Sequence, residues 1–247
     1  MKIGEIELTP IVDAEGTFAT VGEVFPAIAD TAQWWVPVQV VLIRSPDAII
    51  LVDAGLGPAP RAFVPDAEAH LLDELAPDEV DVVVHTHLHV DHVGWDGAFP
   101  RARYIVHGDD LAFFLTPESL EDRPHLREKV LPLRERGLID AADGEVDVAE
   151  GVRVVPTPGH TPGHVCVHVE SRGERAVVLG DVVVHELQVA DPDVVYVSDH
   201  DAVLAAETRR RVLGELADAG VPVMVSHFKG AGRFERRGKG FWWEAAV

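Results

Sequence analysis

An α/β architecture, with two mixed sheets packed together and helices outside, is expected from three features of the sequence. Short Val/Ile/Leu-rich runs alternate with helical patterns, both halves of the chain repeat strands followed by helix, and the apolar runs are nearly continuous, as burial on both faces of a strand requires. The 247 residues, 47% hydrophobic and 26% charged, hold enough apolar material for one domain spanning 1–247. Fibrous, disordered and disulfide-stapled classes are excluded.

At the N-terminus, residues 1–16 contain no apolar stretch of the secretory type, and no run in the chain approaches the ~18 uncharged residues of a membrane span, so an unprocessed soluble chain is expected. Residues 38–44 and 48–52 are β-rich and separated by Ser45-Pro46-Asp47, which reads as a hairpin ending at Asp53-Ala54-Gly55. Pro65-Asp66 opens a helical pattern through Leu71, Leu72 and Leu75 that Pro77 stops, and residues 81–84 form a short buried strand. In the second half, residues 152–155 are a strand, and 165–169 pair with 176–179 across Arg172-Gly173. A long helix over 201–219 is expected to carry Val203, Leu204, Val212, Leu213 and Leu216 on its apolar side, with a last strand at 222–225. Polar residues gather at the strand ends, where the chemistry should sit.

Charge narrows the partners. Forty-two acidic against 21 basic residues give −21, which repels phosphate backbones and anionic lipid; neither nucleic acid nor membrane is expected. The one cysteine, Cys166, has no internal disulfide partner and lies in an alternating strand-like stretch as a small buried side chain, consistent with a reducing cytoplasm. The expected partners are a small-molecule substrate and, at most, a second copy of the chain.

The strongest signal is His87-Leu88-His89-Val90-Asp91-His92, a pattern that arises by chance in roughly three of a thousand sequences of this composition. In an extended segment, residues two apart face the same way, so His87 and His89 can address one ion. Asp91 and His92 are adjacent, and only an irregular turn aims both at a neighbouring ion. Four ionisable groups in six residues at a strand end would suffer repulsion and desolvation without a compensating cation.

The sequence resembles the metallo-β-lactamase superfamily. Besides residues 86–92, the run 50–55 with Asp53, the stretch Thr157-Pro158-Gly159-His160-Thr161-Pro162-Gly163-His164, Leu179-Gly180-Asp181 and Ser226-His227 are similar to the family's remaining motifs, in order. The resemblance implies a four-layer αβ/βα sandwich and a dinuclear metal site. In it His87, His89 and His160 bind one ion, Asp91, His92 and His227 bind the other, Asp181 bridges, and Asp53 is structural. It favours the hydrolytic branch, because His89 stands where iron-redox relatives place a glutamate. Five imidazoles and two carboxylates suit borderline divalent ions, above all Zn²⁺, with Mn²⁺, Fe²⁺ and Co²⁺ as alternatives. Two such ions can share a hydroxide with a pKa near ~7, while Asp91 shuttles a proton to the leaving group.

The tract from Gly180 to Gln188 resembles the branch containing methyl parathion hydrolase and a set of quorum-quenching lactonases, although Val184 stands where many other lactonases place a tyrosine. A small neutral lactone or ester, or a phosphotriester, is the expected substrate. A ribonuclease or thioesterase of the same superfamily, or a non-catalytic metal-binding sensor, is the alternative. His85 is read as support rather than ligand, and His164 and His168 as structural. His70, His107, His125 and His200 fall to surface or loop roles, Arg209-Arg210-Arg211 to a solvated helix face, and the basic run 229–239 to loop charges. Trp34-Trp35 and Trp242-Trp243 fit either a cover for the core edge or the walls of an apolar pocket.

Overall fold

The computed structural model describes residues 1–58 and 64–246. Its first sheet has seven strands in sequential order: β1 (Lys2–Ile3), β2 (Ile6–Thr20), β3 (Gln33–Arg44), β4 (Ile49–Val52), β5 (Val82–Val84), β6 (Arg103–His107) and β7 (Ile139–Ala142). Strands β1 to β4 pair antiparallel and β4 to β7 parallel. The second sheet runs from β8 (Val146–Ala149) through β9 (Val152–Pro156), β10 (Val165–Ser171), β11 (Glu174–Val178), β12 (Val223–Met224) and β13 (Gly232–Arg237) to β14 (Gly240–Ala245), with only the β11–β12 pair parallel. Helices α1 (Val21–Val24), α2 (Leu71–Glu74), α3 (Gly108–Phe114), α4 (Pro117–Asp122), α5 (Leu131–Glu135), α6 (Glu186–Ala190) and α7 (Ala202–Ala219), with a 3₁₀ turn at Pro77–Glu79 and a π-helical turn at Leu126–Val130, complete the order.

Strand alternation builds the layers. Val41 and Ile43 of β3, Ile50 and Val52 of β4, Val165, Val167 and Val169 of β10, and Ala176 and Val178 of β11 meet in one buried cluster between the sheets. Their neighbours face outward: Val40, Leu42 and Leu51 join Leu71, Leu75 and Leu133, whereas Cys166, Val177 and Leu179 join Val212, Leu213 and Leu216 of α7. This αβ/βα order explains the unbroken apolar runs of the central strands, where β3 and β4 are covered on both faces.

The expected hairpins form, with Val41 opposite Val52 and Val167 opposite Val178. Arg172 and Gly173 both take positive φ (55° and 81°), the geometry of a tight turn matching strand twist. Two expectations are corrected. The helix from Pro65 shrinks to α2, because the buried Asp13 carboxylate accepts the amides of His70 (3.1 Å) and Leu71 (2.8 Å). On α7, Val203 is 71% exposed and Leu204 also faces out; the buried stripe is Ala205, Thr208, Arg209, Val212, Leu213 and Leu216. The Asp201 side chain, accepting from the amides of Val203 and Leu204, fixes the helix start, and Gly220 in the left-handed region (φ 60°) ends it.

Truncating Ile43, fully buried between the sheets, removes contacts on both sides of that core. Ile43→Ala should cost about 2–5 kcal/mol in urea unfolding; a loss below 1 kcal/mol would contradict the assigned packing.

Candidate metal centre

The strand β5 ends at Val84, and residues 85–89 follow it as irregular chain with a bend at Thr86 before the turn at 90–92. His87 and His89 bring their ring nitrogens together, while Leu88 between them is buried against Val93, Phe114 and Leu126. The turn, closed by His92 N–H donating to the His89 carbonyl (3.0 Å), brings Asp91 and His92 to the same edge. From the second sheet, Pro156 leads into the loop of His160, Leu179 into Gly180-Asp181, and Met224 into the turn of His227. Gln39 of β3 holds that turn, donating to the carbonyls of Val225 (3.1 Å) and Gly230 (3.0 Å).

All seven expected site residues converge. His87 Nε2 lies 3.0 Å and His160 Nε2 3.1 Å from His89 Nδ1. Asp181 reaches both halves of the cluster: Oδ2 is 3.5 Å from His160 Nε2, 3.8 Å from His87 Nε2 and 3.3 Å from His227 Nε2, while Oδ1 is 3.5 Å from His92 Nε2. Asp91 Oδ2 is 3.7 Å from His92 Nε2 and 3.5 Å from His227 Nε2. Ligand atoms of three triads, His87/His89/His160, His87/His92/Asp181 and Asp91/His92/His227, lie within 4.8 Å of one another.

The inward nitrogens are fixed from outside. His92 Nδ1 contacts Asp53 (2.8 Å), His160 Nδ1 contacts Asp199 (3.0 Å), and His227 Nδ1 donates to the Pro37 carbonyl (2.9 Å). His87 Nδ1 lies 3.1 Å from the Thr86 hydroxyl, which itself donates to Asp53 (2.8 Å). Each of these four rings thus turns Nε2 toward the centre, where it can donate its lone pair to an ion once it is deprotonated. A proton on His89 Nδ1 can satisfy only one of the two lone pairs facing it. Asp91 Oδ2, His92 Nε2 and Asp181 Oδ1 are buried with no hydrogen bond among the described residues. Acceptors therefore outnumber donors, and the N/O donor set fits divalent cations of the zinc type.

Electrostatics divides the cluster. Burial, together with the neighbouring rings His92 and His89, drives His87 well below the usual imidazole range; burial and His160 do the same for His89. At the other end burial is overcome: Asp53 and Asp181 raise His92 well above that range, and Asp181 raises His227. Protons there occupy the place a cation would take, so metal uptake should release them.

The supporting shell is partly as expected. His85, buried beside Asp96 (3.1 Å), is raised to about 9 because Asp96 and Asp53 outweigh burial, and its charge balances two carboxylates. Burial opposes ionisation of Asp53, yet His92 and His85 hold its carboxyl down to about 2; its positive φ (63°) aims it at Thr86 and His92 rather than inward. His164 is structural: it accepts the Asp181 amide (3.0 Å), and burial pushes its own protonation down to about 3. Gly159 (φ 136°) lets the His160 loop touch α7, where a Cβ would lie 2.4 Å from Ala205 backbone.

Arg209 requires correction. It is 1% exposed rather than solvated, and its guanidinium donates to the carbonyls of Val182 (2.8 Å), Pro192 (2.9 Å) and Val194 (3.2 Å) and to Asp199 Oδ2 (3.2 Å). Asp199 in turn holds His160. The signal was present in the sequence: Arg209 falls on the stripe of Ala205, Val212, Leu213 and Leu216 at helical spacing. His125, expected in a surface or loop role, is half-buried and lines a 180 Å³ cavity with Asp91, Asp181, His227, Tyr196 and Arg123. Tyr196, which the sequence did not single out, stacks on His160 with ring centres 6.0 Å apart.

Each tryptophan pair splits across its strand. Trp34 turns inward against His227 (6.2 Å) and His185 (5.3 Å), while Trp35 is 59% exposed and donates to Glu15 (3.2 Å). Trp243 packs on Phe228 and Phe234; Trp242, 47% exposed, lies under the Arg237 guanidinium. His185 caps α6, accepting the Leu187 amide (3.1 Å), and does not reach the cluster centre with a polar contact among the described residues. The basic run 229–239 is largely strand β13 and its turn, with Lys229 paired to Glu15 and Arg236 to Asp218.

A four-layer sandwich whose sheets converge on a His/Asp cluster defines a class, and the chain belongs to the metallo-beta-lactamase superfamily, which residues 34–218 match. Among curated proteins it is similar to N-acyl homoserine lactonase AiiA of Bacillus thuringiensis subsp. kurstaki, 27% identical over 163 residues covering 58% of this chain and 62% of that protein. It is also similar to metallo-beta-lactamase domain-containing protein 1 of Mus musculus, 34% identical over 181 residues covering 73% of this chain and 59% of that one. The chain thus spans about three-fifths of these relatives' lengths. The solved structure of AidC, a dizinc quorum-quenching lactonase in complex with a product, N-hexanoyl-L-homoserine, shares the fold. Its TM-score is 0.86, at 20% identity, with 100% of this chain and 96% of that one covered.

Arg209→Met leaves Asp199 buried without its cation, so a loss of about 3–5 kcal/mol in urea unfolding is expected. Because Asp199 orients His160, zinc affinity should also fall by about 10–100-fold; equilibrium competition against a zinc chelator checks this, and unchanged affinity would refute the linkage.

Asp110 anchors the same loop, accepting from Gly163 N–H (2.6 Å) and the Thr161 hydroxyl (3.0 Å), and burial pushes its carboxyl up to about 6 from an ordinary 3.8. Its contribution to stability is complete below about pH 4 and is lost as pH rises through about 6. Relative to wild type, Asp110→Asn should therefore gain stability between pH 4 and 7, read from paired urea titrations; a constant difference would contradict the buried, raised carboxyl.

Proposed function

We propose that the chain is a zinc-dependent dinuclear hydrolase of small lactones or esters, with phosphotriesters as secondary substrates. The observation that carries this reading is the position of Asp181, whose two oxygens reach rings of both halves of the cluster. His87, His89 and His160 would hold one ion, Asp91, His92 and His227 the other, with Asp181 between them. When bound, such a pair supplies Lewis acidity toward the scissile carbonyl and lowers the pKa of water. The lactonase names of AiiA and AidC support the substrate class.

The chain's own residues supply the rest. Asp91 lines the cavity beside His227, and a carboxylate that holds an ion through one oxygen keeps the other for a proton, so it can take one and pass it to the leaving oxygen. Burial pushes the Tyr196 hydroxyl up, keeping its proton at neutral pH and available as a donor to a substrate oxygen. Phe18, packed edge to face on Trp34 (5.8 Å), gives the cavity an apolar side.

Protein purified without chelator should contain close to two zinc equivalents and hydrolyse γ-lactones and aryl esters faster than RNA oligonucleotides or acyl-glutathione thioesters. Asp91→Asn should retain part of the metal and lose about 10²–10⁴-fold in kcat. Faster turnover of RNA or thioester would overturn the substrate class while leaving the metal assignment standing.

A further inference from the structure

The cavity beside the cluster contains one permanent cation among its lining residues, Arg123. It follows the last residue of α4, where the Arg123 amide donates to the Ser119 carbonyl (2.9 Å). Its guanidinium sits against two aromatic rings, 5.9 Å from the centre of Phe113 and 5.7 Å from that of Phe114. Phe114 is fully buried and meets the His89 ring edge-on at 5.6 Å. The guanidinium is thus one ring removed from the candidate metal ligands, held by packing rather than by a carboxylate. Only Nη1 finds an acceptor among the described residues, the Ser119 hydroxyl at 3.3 Å.

Arg209 shows the contrast. Its fork is spent on three carbonyls and Asp199, so it is a structural cation. Arg123 keeps Nε and Nη2 unengaged while facing the same cavity as Asp91, Asp181 and Tyr196. In a chain carrying twice as many acidic as basic residues, a half-buried guanidinium without an ion-pair partner among the described residues is a poor device for stability. It is well suited to a planar oxygen group, because two N–H bonds of the fork match a carboxylate or carbonyl edge and the aromatic rings fix its orientation. The protein's negative charge acts over distances at which salt screens it; the contact with Arg123 is short-ranged and is not.

We propose that Arg123 is a specificity-determining residue that reads a second oxygen group of the substrate, an amide carbonyl or a carboxylate set a few atoms from the scissile bond. This rests on the hydrolase reading above and refines its substrate class: the bond cleaved belongs to a lactone or ester, and the arm beside it carries an oxygen acceptor rather than a plain alkyl chain. The metal cluster engages the bond to be broken; Arg123 engages the arm.

The test uses the zinc-loaded protein and cyclopentanone isosteres of a γ-lactone, which cannot be cleaved, bearing arms of equal length ending in a carboxylate, a primary amide or an alkyl group. Titration calorimetry should give the carboxylate and amide arms at least about tenfold tighter binding than the alkyl arm, with the carboxylate tightest. Arg123→Gln should bring the three within about twofold of each other. Arg123→Lys, which keeps the charge and loses the fork, should retain part of the preference for the carboxylate alone. Zinc content and thermal unfolding of each variant are measured alongside, and Arg123→Lys serves where Arg123→Gln does not fold. The corresponding lactones give the kinetic readout, with the preference appearing in KM more than in kcat. Equal binding of all three arms, or a preference that survives in Arg123→Gln, overturns the proposal. Selective binding of the oxygen-bearing arms with no hydrolysis of any lactone leaves the role of Arg123 standing and overturns the hydrolase reading instead.

Discussion

Buried lone pairs that face one another are the constraint on which the rest of this structure depends. Five imidazoles and two carboxylates meet where the loops of the two sheets converge, and four of the rings have their other nitrogen engaged by Asp53, Asp199, Thr86 or the Pro37 carbonyl. Those outer contacts turn the inner nitrogens toward one another and toward the two carboxylates, with no other partner to meet them. Such an arrangement is costly in a dry protein interior unless a cation neutralises it, because an unsatisfied buried polar atom loses the solvation it had in water. The fold is consequently a device for holding acceptors together against their mutual repulsion.

The holding is done by both halves of the chain and by the buried polar residues that join them. Asp13 sits at a bulge in β2, between the Val12–Gln39 and Ala14–Val38 pairs, and from there its carboxylate accepts amides of Leu56, Gly57, His70 and Leu71 and the Trp95 indole. Gln39, opposite Val12, reaches across to the turn of His227. Arg209 on α7 ties the loop of Tyr196 and Asp199 to His160. His92, His160 and His227 are thereby each held by a residue distant in sequence, and the cluster forms only as the sheets pack.

This division explains what the amino-acid sequence disclosed and what it withheld. The ligand set was legible because metal chemistry demands particular side chains at particular spacings, and His87 to His92 satisfies those demands within six residues. The central strands were legible because burial on both faces leaves an unbroken apolar run, as in 38–44 and 165–169. Strand β2 was not, since its alternation is interrupted by Pro10, Asp13 and Gly16, and its partner β3 decides its register. The helix expected from Pro65 failed for a similar reason: a carboxylate more than fifty residues away captured the amides of His70 and Leu71. On α7 the apolar stripe was displaced because Asp201 fixes the start of the helix, turning Val203 and Leu204 outward and Arg209 inward.

Specificity was the least legible property, and the geometry gives the reason. Chemistry at the cluster is carried by residues whose types are dictated, whereas the cavity wall is assembled from Phe18 on β2, Arg123 after α4, and Tyr196 and Ser198 in the loop before α7, which form no motif. Nothing in the local sequence distinguishes Arg123 from the arginines on the outer surface, such as Arg44 or Arg153, which pair with carboxylates there. What distinguishes it is only its placement beside Phe114 and the unspent half of its fork. A scaffold that fixes its ligands through long-range hydrogen bonds leaves these wall positions free to change without disturbing the cluster. That freedom lets one set of ligands serve many substrates, and it is why the substrate has to be read from the wall rather than from the metal site.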